Sequence, residues 1–262
     1  MKPIALVFLG DMQSGGRTAV APSGFYVTSA KSILPLSKGQ RWLLKCWDNL
    51  VSRVLEVSKT HQVSLMLGGD NIDGPLHHGT VQTVGTRSEM RAMAVELLQP
   101  LADLSTWIYS VDGTEAHAGT EGDEDNSIAA TLKANYRPYW RMKVEDRWLD
   151  WKHDGINISP RPHLADNALI RAAQDEYGWS MELGRPVADL VMRHHAHRTR
   201  KPVTVDGVTV VVCGCWQLPT HWAEARFGGL QPSIGAVIWY PHTMILERIV
   251  YPYATETETL VY

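Results

Sequence analysis

The stretch that decides the fold is Gln62-Val63-Ser64-Leu65-Met66-Leu67-Gly68-Gly69-Asp70-Asn71-Ile72-Asp73. Apart from Ser64, Val63 to Leu67 is a continuous apolar run. It is too short for an ordinary helix and is closed by a glycine pair, so it reads as a strand buried on both faces. The chain then sets down two carboxylates, Asp70 and Asp73, just past the strand end. In open α/β sheets, ligand sites form outside the carboxyl ends of strands.

The same pattern recurs on both sides. Pro3 to Leu9 is an apolar run ending in Gly10-Asp11-Met12-Gln13. Thr106 to Val111 ends in Asp112-Gly113-Thr114-Glu115-Ala116-His117, and Val187 to Arg193 ends in His194-His195-Ala196-His197. His153-Asp154-Gly155 follows strand material from Trp140 to Trp151. Helices are expected between these runs. Gln40 to Lys59 carries an apolar stripe of Leu44, Trp47, Val51, Val54 and Leu55 at helical spacing. Ser88 to Leu104, Ser127 to Asn135 and Leu164 to Leu183 also read as helices, the second of these capped by the acidic loop Glu121 to Asn126. Residues 14–38, dense in Ser, Gly, Pro and Thr, read as a long surface loop, of a length that is uncommon unless it serves a site. Residues 71–86 also read as loop. Val203 to Trp216 reads as a hairpin turning at Asp206-Gly207, and Ala236 to Tyr240 with Met244 to Tyr251 as another. Alternating strands and helices followed by antiparallel strands predict a mixed α/β sandwich.

Composition narrows the class. The 262 residues fit one domain, 1–262, and 44% apolar with 20% charged residues is an ordinary globular balance. A net charge of -3 gives no footprint for long nucleic acid, and the densest basic cluster is Arg193 to Lys201. Cys46, Cys213 and Cys215 make no disulfide framework; the last two, spaced to share a strand face, read as small core residues in a reducing compartment. Ile4 to Leu9 is too short for a signal-peptide core, and no run reaches the roughly 20 apolar residues that span a bilayer. The expectation is a cytoplasmic protein with no membrane partner. Nothing in the sequence sets an oligomeric state.

The chemistry lies in the residue types at the strand ends. Positions i and i+2 of an extended segment point the same way, so Asp11 with Gln13 can meet one ion, and His195 with His197 can do likewise or divide between two. Carboxylate and imidazole together suit Mn, Fe or Zn better than Ca. A carboxylate such as Asp70 can bridge two cations, and two cations about 3.5–4 Å apart clamp the attacking and leaving oxygens of a phosphoryl transfer. Each residue alone has a plainer reading. Asp11 or Asp70 after a strand is turn chemistry, Asp73-Gly74-Pro75 is a turn, His153 is a loop histidine, and His194, His195 and His197 form a basic surface cluster. Joint occurrence after successive strands favours metal. His61, His77, His78, His163, His221 and His242 keep the rim or surface reading, as do Arg17 and Arg161.

The order of these blocks resembles the calcineurin-like metallophosphoesterases, whose pattern is D-x-H, G-D-x-x-D, G-N-H-D/E, a lone His and G-H-x-H. Gly69 to Asp73 matches the second block fully, His195-Ala196-His197 the last, and His153 the lone His; the resemblance spans roughly residues 3 to 200. It implies a four-layer sandwich of two mixed β-sheets flanked by helices. It also implies metal ligands at Asp11, Gln13, Asp70, His153, His195 and His197, binding two divalent transition-metal ions: Mn first, with Fe, Zn, Co or Ni as alternatives. The implied activity is hydrolysis of phosphate mono- or diesters by a metal-bridging hydroxide. His117 would then be the general acid and Asp73 the residue that orients it. Substrates on this reading are small phosphorylated molecules or nucleotides, with short nucleic acid as an alternative. The rivals are a nuclease or nucleotide phosphodiesterase of the same superfamily, and a metal-binding protein that has lost catalysis. Two departures stand out. Gln13 replaces an imidazole with a neutral, harder donor. Gly113-Thr114-Glu115-Ala116-His117 replaces the Asn ligand with Thr and displaces the His by two residues, leaving His117 as either acid or substitute ligand.

Overall fold

The computed structural model describes residues 2–74, 86–119, 123–156, 158–159, 164–220 and 231–253. The elements in chain order are β1 (Ile4–Leu9), β2 (Tyr26–Val27), β3 (Ser32–Ile33), α1 (Lys38–Thr60), β4 (Gln62–Leu67), α2 (Arg87–Asp103), β5 (Trp107–Ser110), α3 (Glu115–Ala118), α4 (Asp123–Thr131), β6 (Asn135–Tyr136), β7 (Trp140–Val144), β8 (Arg147–Trp151), α5 (Asn167–Glu182), β9 (Leu190–Arg193), β10 (Val203–Val205), β11 (Val208–Val212), β12 (Ile234–Tyr240) and β13 (Ile245–Tyr251).

Strand alternation builds four layers. The first sheet has the order β13-β12-β1-β4-β5-β6 and the second β10-β11-β9-β8-β7, and both mix parallel with antiparallel pairs. On β1, Ala5, Val7 and Leu9 face a core shared with α1, α2 and α4, while Leu6 and Phe8 face the opposite way. The second set packs with Met66, Leu149, Trp151, Leu190, Met192 and Val211 in a core between the two sheets. Leu169 and Ala173 of α5 cover the outer face of the second sheet at Val191, Val208, Val210 and Val212. This is the expected four-layer sandwich. Period-two alternation makes a strand apolar on both faces, which is why the runs read as continuous.

Helix α1 starts at Ser37, whose side chain accepts from Gln40 N while Gln40 reaches back to the Ser37 backbone. Its buried stripe is Leu43, Cys46, Trp47, Leu50, Val54 and Val57; Leu55, expected in the stripe, is exposed. The face is rotated because Trp47 fixes it, packing edge-on against Trp216.

Three further expectations are corrected, and the strand material from Trp140 to Trp151 is refined. Residues 14–22 are largely buried rather than forming a surface loop. Their backbone finds partners there: Ser14 N donates to Asn71 O, and Val20 N to Trp216 O. A paired backbone can be buried without penalty. The segment from Trp140 to Trp151 is a hairpin, with Trp140 opposite Trp151 and a turn at Glu145-Asp146, which lacks the usual Asn-Gly or Asp-Gly signal. Helix α4 begins at Asp123, inside the loop expected to cap it, and ends at Thr131. Cys213 and Cys215 lie beyond β11 and face different cores, the inter-sheet one and the α1 side, because the chain leaves extended pairing after Val212. Positions 75–85 of the expected loop, together with His77, His78, Arg161, His163 and His221, lie outside the described residues.

Candidate metal centre

The loops after β1 and β4 are knitted side by side. Asp11 N donates to Gly69 O (2.9 Å), Gln13 N to Asp70 O (3.0 Å) and Asp73 N to Ser14 O (3.0 Å). The second sheet supplies the facing wall. His194 N donates to His153 O (2.8 Å), joining the β8 and β9 ends, and His195 N donates to Asp11 Oδ2 (3.2 Å), joining the two sheets. Five of the six expected ligands, Asp11, Gln13, Asp70, His195 and His197, have φ between 47° and 63°. Non-glycine residues rarely adopt this left-handed conformation, and it clusters at functional sites where the surrounding structure enforces it.

All six expected metal residues converge. One group is Asp70, His153 and His195, whose donor atoms lie within 4.8 Å of one another. A second adjoins it: Asp11 Oδ1 is 3.1 Å from His197 Nε2 and 4.0 Å from His153 Nε2. Gln13 reaches in with its amide, Nε2 lying 3.1 Å from His197 Nε2 and 3.2 Å from His117 Nε2. A half-turn of the amide about its last bond brings Oε1 to that position, the orientation a cation needs.

The donor set fits cations better than it fits itself. Asp11 Oδ1 and His153 Nε2 are fully buried and make no hydrogen bond, although His197 Nε2 and Asp70 Oδ2 respectively lie 3.1 Å away. Neighbouring ligands of one cation sit about 3–3.5 Å apart for bonds of about 2.1 Å, without pointing protons at each other. His153 Nδ1 donates to Gly68 O (2.5 Å), which fixes the tautomer and turns Nε2 inward. Metal-binding histidines are usually held by such a carbonyl. His117 is held in the same way, its Nδ1 donating to the Asp73 main-chain carbonyl. The orienting contact thus comes from the backbone of Asp73, where a carboxylate was expected. The Asp73 side chain receives Gln217 Nε2 at 3.5 Å.

Electrostatics follow the same geometry. Burial works to raise the Asp11 and Asp70 carboxyls, but His197 and His153 outweigh it and hold both below the ordinary range. Burial works to lower His153, yet Asp70 and Asp11 raise it to about 10. Burial likewise opposes charge on His197, and Cys215 and Asp11 raise it well above normal.

The roles of three residues escaped the sequence reading. Asp125, in the first turn of α4, accepts from Asp70 N (3.1 Å), Asn71 N (3.2 Å), Asn71 Nδ2 (2.6 Å) and Gly113 N (2.9 Å). Burial, then the charge on Asp70, pushes it up to about 6 against those bonds. Among Asp123, Glu124 and Asp125 no sequence signal singles it out. Thr114 binds the Asp70 carboxylate through its backbone N and its hydroxyl. His194 is a buried wedge rather than a ligand. Its Nε2 accepts from Trp151 Nε1 (3.1 Å), and burial first, then the neighbouring cations, push it down to about 3. The ring fills the space above Gly68, where a Cβ would come within 2.2 Å of it. The glycine expected at position 194 is thus exchanged for an imidazole, and glycine at position 68 makes the room.

Two mixed sheets face to face, with ligand types on five loops at one end, decide the architecture. This is the architecture that the calcineurin-like resemblance implies. No family model matches the chain, and no curated protein does. Solved structures similar to this chain include an archaeal phosphodiesterase, at 11% identity and TM-score 0.48, covering 94% of this chain and 99% of that one. Another is a dimetal phosphatase from Danio rerio, at 11% identity and TM-score 0.46, covering 95% and 96%. A third is a single mutant of Vps29 from Entamoeba histolytica, at 12% identity and TM-score 0.42, covering 95% and 99%. Likeness at this level carries no activity over to this chain, whose chemistry rests on the site.

Proposed function

We propose that this chain is a metal-dependent phosphoesterase acting on phosphate mono- or diesters from a site within one domain, 1–262. The observation that carries the reading is the convergence of Asp11, Asp70, His153, His195 and His197, with two buried donor atoms, Asp11 Oδ1 and His153 Nε2, left without hydrogen bonds. Asp70, His153 and His195 would hold one divalent transition-metal ion, and Asp11, His197 and Gln13 a second, with Asp70 or Asp11 between them. Mn suits the neutral oxygen of Gln13 best, and Fe, Zn, Co and Ni suit the imidazoles. Two such ions, when bound, supply positive charge to the phosphoryl oxygens and lower the pKa of a bound water.

The chain's own residues do the rest. Left-handed backbone at the ligands, pinned by the β1–β4 loop bonds, fixes their directions before substrate arrives. His117, tethered through Nδ1 to Asp73 O, presents Nε2 to the site. As an imidazolium it keeps the Nδ1 hydrogen bond and gives the Nε2 proton to the leaving oxygen. Small phosphorylated molecules, nucleotides and short nucleic acid are the substrate classes this suits, in the cytoplasm. Among the described residues no helix is long and apolar enough to cross a membrane.

One observation favours a rival. Thr114, in the place of an Asn ligand, binds Asp70 instead of facing outward as a donor to metal. A metal-binding protein without turnover would look like this. Hydrolysis of an aryl phosphate mono- and diester by Mn-loaded protein separates the readings. Turnover lost on chelation and restored by Mn supports the enzyme. Two bound ions with no turnover on either ester supports the rival.

A further inference from the structure

The loop that follows the last histidine of the site carries Arg198-Thr199-Arg200. Arg198 is the next residue after His197 and is half-buried. Arg248 comes to the same place from the first sheet. It lies on β13 opposite Val237, whose side chain is in the inter-sheet core, and its Nε donates to Thr199 Oγ1 at 3.4 Å. Arg248 thus reaches the loop in which Arg198 and Arg200 flank Thr199, directly after the last histidine of the site. Against them stands one carboxylate among the described residues: Arg200 Nε meets Asp166 Oδ1 at 3.0 Å, with the Asp166 side chain 53% exposed.

Guanidiniums do not release their protons at physiological pH, so a cluster of them keeps its charge until an anion neutralises it. Arginines that only decorate a surface separate or pair. The half-buried arginines elsewhere among the described residues do pair: Arg91 with Glu124, Arg141 with Asp150 and Glu176, Arg147 with Asp189, Arg185 with Glu176 and Arg193 with Asp150. Arg198 has no hydrogen bond or ion pair among the described residues.

We infer that Arg198, Arg200 and Arg248 form a subsite for a second phosphate of the substrate, next to the phosphate being hydrolysed. This rests on the phosphoesterase reading and narrows its substrate class to molecules with at least two phosphates in sequence. Planar, forked donors suit phosphate oxygens in pairs. The net charge of -3 for the whole chain makes a local positive cluster a short-range device rather than a track for long nucleic acid.

The test compares two-phosphate with one-phosphate substrates. For the Mn-loaded protein, kcat/KM is measured on a nucleoside triphosphate, on a 5′-phosphorylated dinucleotide and on an aryl phosphate. In Arg198→Ala and in Arg248→Ala, kcat/KM on a two-phosphate substrate relative to the aryl ester should fall on the order of tenfold, mostly through KM. Arg53→Ala, which removes a cation far along α1, should leave that ratio as in the parent. A fall on the triphosphate alone, or on the dinucleotide alone, identifies the source of the second phosphate. Calorimetric binding of tripolyphosphate, measured alongside, does not depend on turnover and should weaken in both arginine variants by a similar factor. Unchanged ratios, or, should the protein hydrolyse nothing, unchanged tripolyphosphate binding in both variants, overturn the subsite. Absence of turnover with weakened binding keeps the subsite and overturns only the hydrolytic reading.

Discussion

Thr114 closes on Asp70: its backbone N donates to Oδ1 at 2.6 Å, and its hydroxyl lies 3.1 Å from both carboxylate oxygens. The residue expected to be a poor substitute ligand instead holds a proposed ligand in place. Removing the hydroxyl while keeping the shape, in Thr114→Val, should weaken metal binding about 10- to 100-fold, the usual effect of losing a partner behind a ligand. Competition with a chelator of known affinity measures it. Metal affinity equal to the parent's would assign Asp70's orientation to Asp125 and the backbone alone.

Asp70 itself is the strictest test of the centre. Purified protein should carry or take up about two transition-metal ions per chain, since the donors outnumber the four that one tetrahedral ion needs. Asp70→Asn should lose most of its bound metal and most of its activity together. Elemental analysis and an aryl phosphate assay on the same folded sample decide it. Normal turnover in that sample removes Asp70 from the centre.

His117 can be tested through its leaving group. With Nδ1 bound to the Asp73 carbonyl and Nε2 turned toward Gln13 in the site, His117→Ala should keep its metals. It should lose about 10²- to 10⁴-fold on alkyl esters and much less on nitrophenyl esters, whose leaving oxygen hardly needs a proton. Similar losses on both esters, with part of the metal gone, would make it a ligand. Because the tether is to the Asp73 carbonyl, Asp73→Asn should have a milder effect than His117→Ala.

The wedge between Gly68 and His194 predicts a rescue. Gly68→Ala puts a Cβ 2.2 Å from the imidazole and should destabilise by about 1–3 kcal/mol or more, as overpacking does. Gly68→Ala combined with His194→Gly should recover much of that loss, since the two changes share one space. Thermal unfolding of the four proteins completes the cycle. Strict additivity would show that the ring and the glycine do not compete.

Acid should weaken the outer face of the second sheet. Arg141 is 3.1 Å from Asp150 and 2.8 Å from Glu176, and Arg193 is 2.6 Å from Asp150. Burial works to raise both carboxyls, but these arginines hold Asp150 below its ordinary 3.8 and Arg141 holds Glu176 below 4.5. A depressed folded pKa contributes stability that is present above the unfolded value and lost as pH falls through the folded one. Arg141→Met should therefore cost about 3–5 kcal/mol near neutrality, by leaving carboxylates buried without their partner. The difference between parent and variant should shrink as pH drops below about 4.5. Denaturant midpoints across that range measure it. A difference independent of pH would mean that Arg141 acts by packing alone.

The sequence by itself determined most of the strands and which polar residues follow them. Runs such as Ile4–Leu9 and Gln62–Leu67 can only be two-sided strands, and a polar residue directly after such a run must lie at a sheet end. That local logic placed Asp11, Asp70, His153, His195 and His197 after strand ends, as candidates. What only the tertiary structure decided depends on contacts between distant segments. The acid among 123–125 that binds the Asp70 loop is chosen by how α4 docks, not by its neighbours in the chain. Residues 14–22 could be buried because the 71–73 and 216–218 segments satisfied their backbone. Cys213 and Cys215 part company where pairing ends, which periodicity cannot reveal. The positive φ values at the ligands come from the same cause: a single residue's propensity is worth little beside a loop held from both sides, so strain that the sequence disfavours becomes the conformation the assembled sheets require.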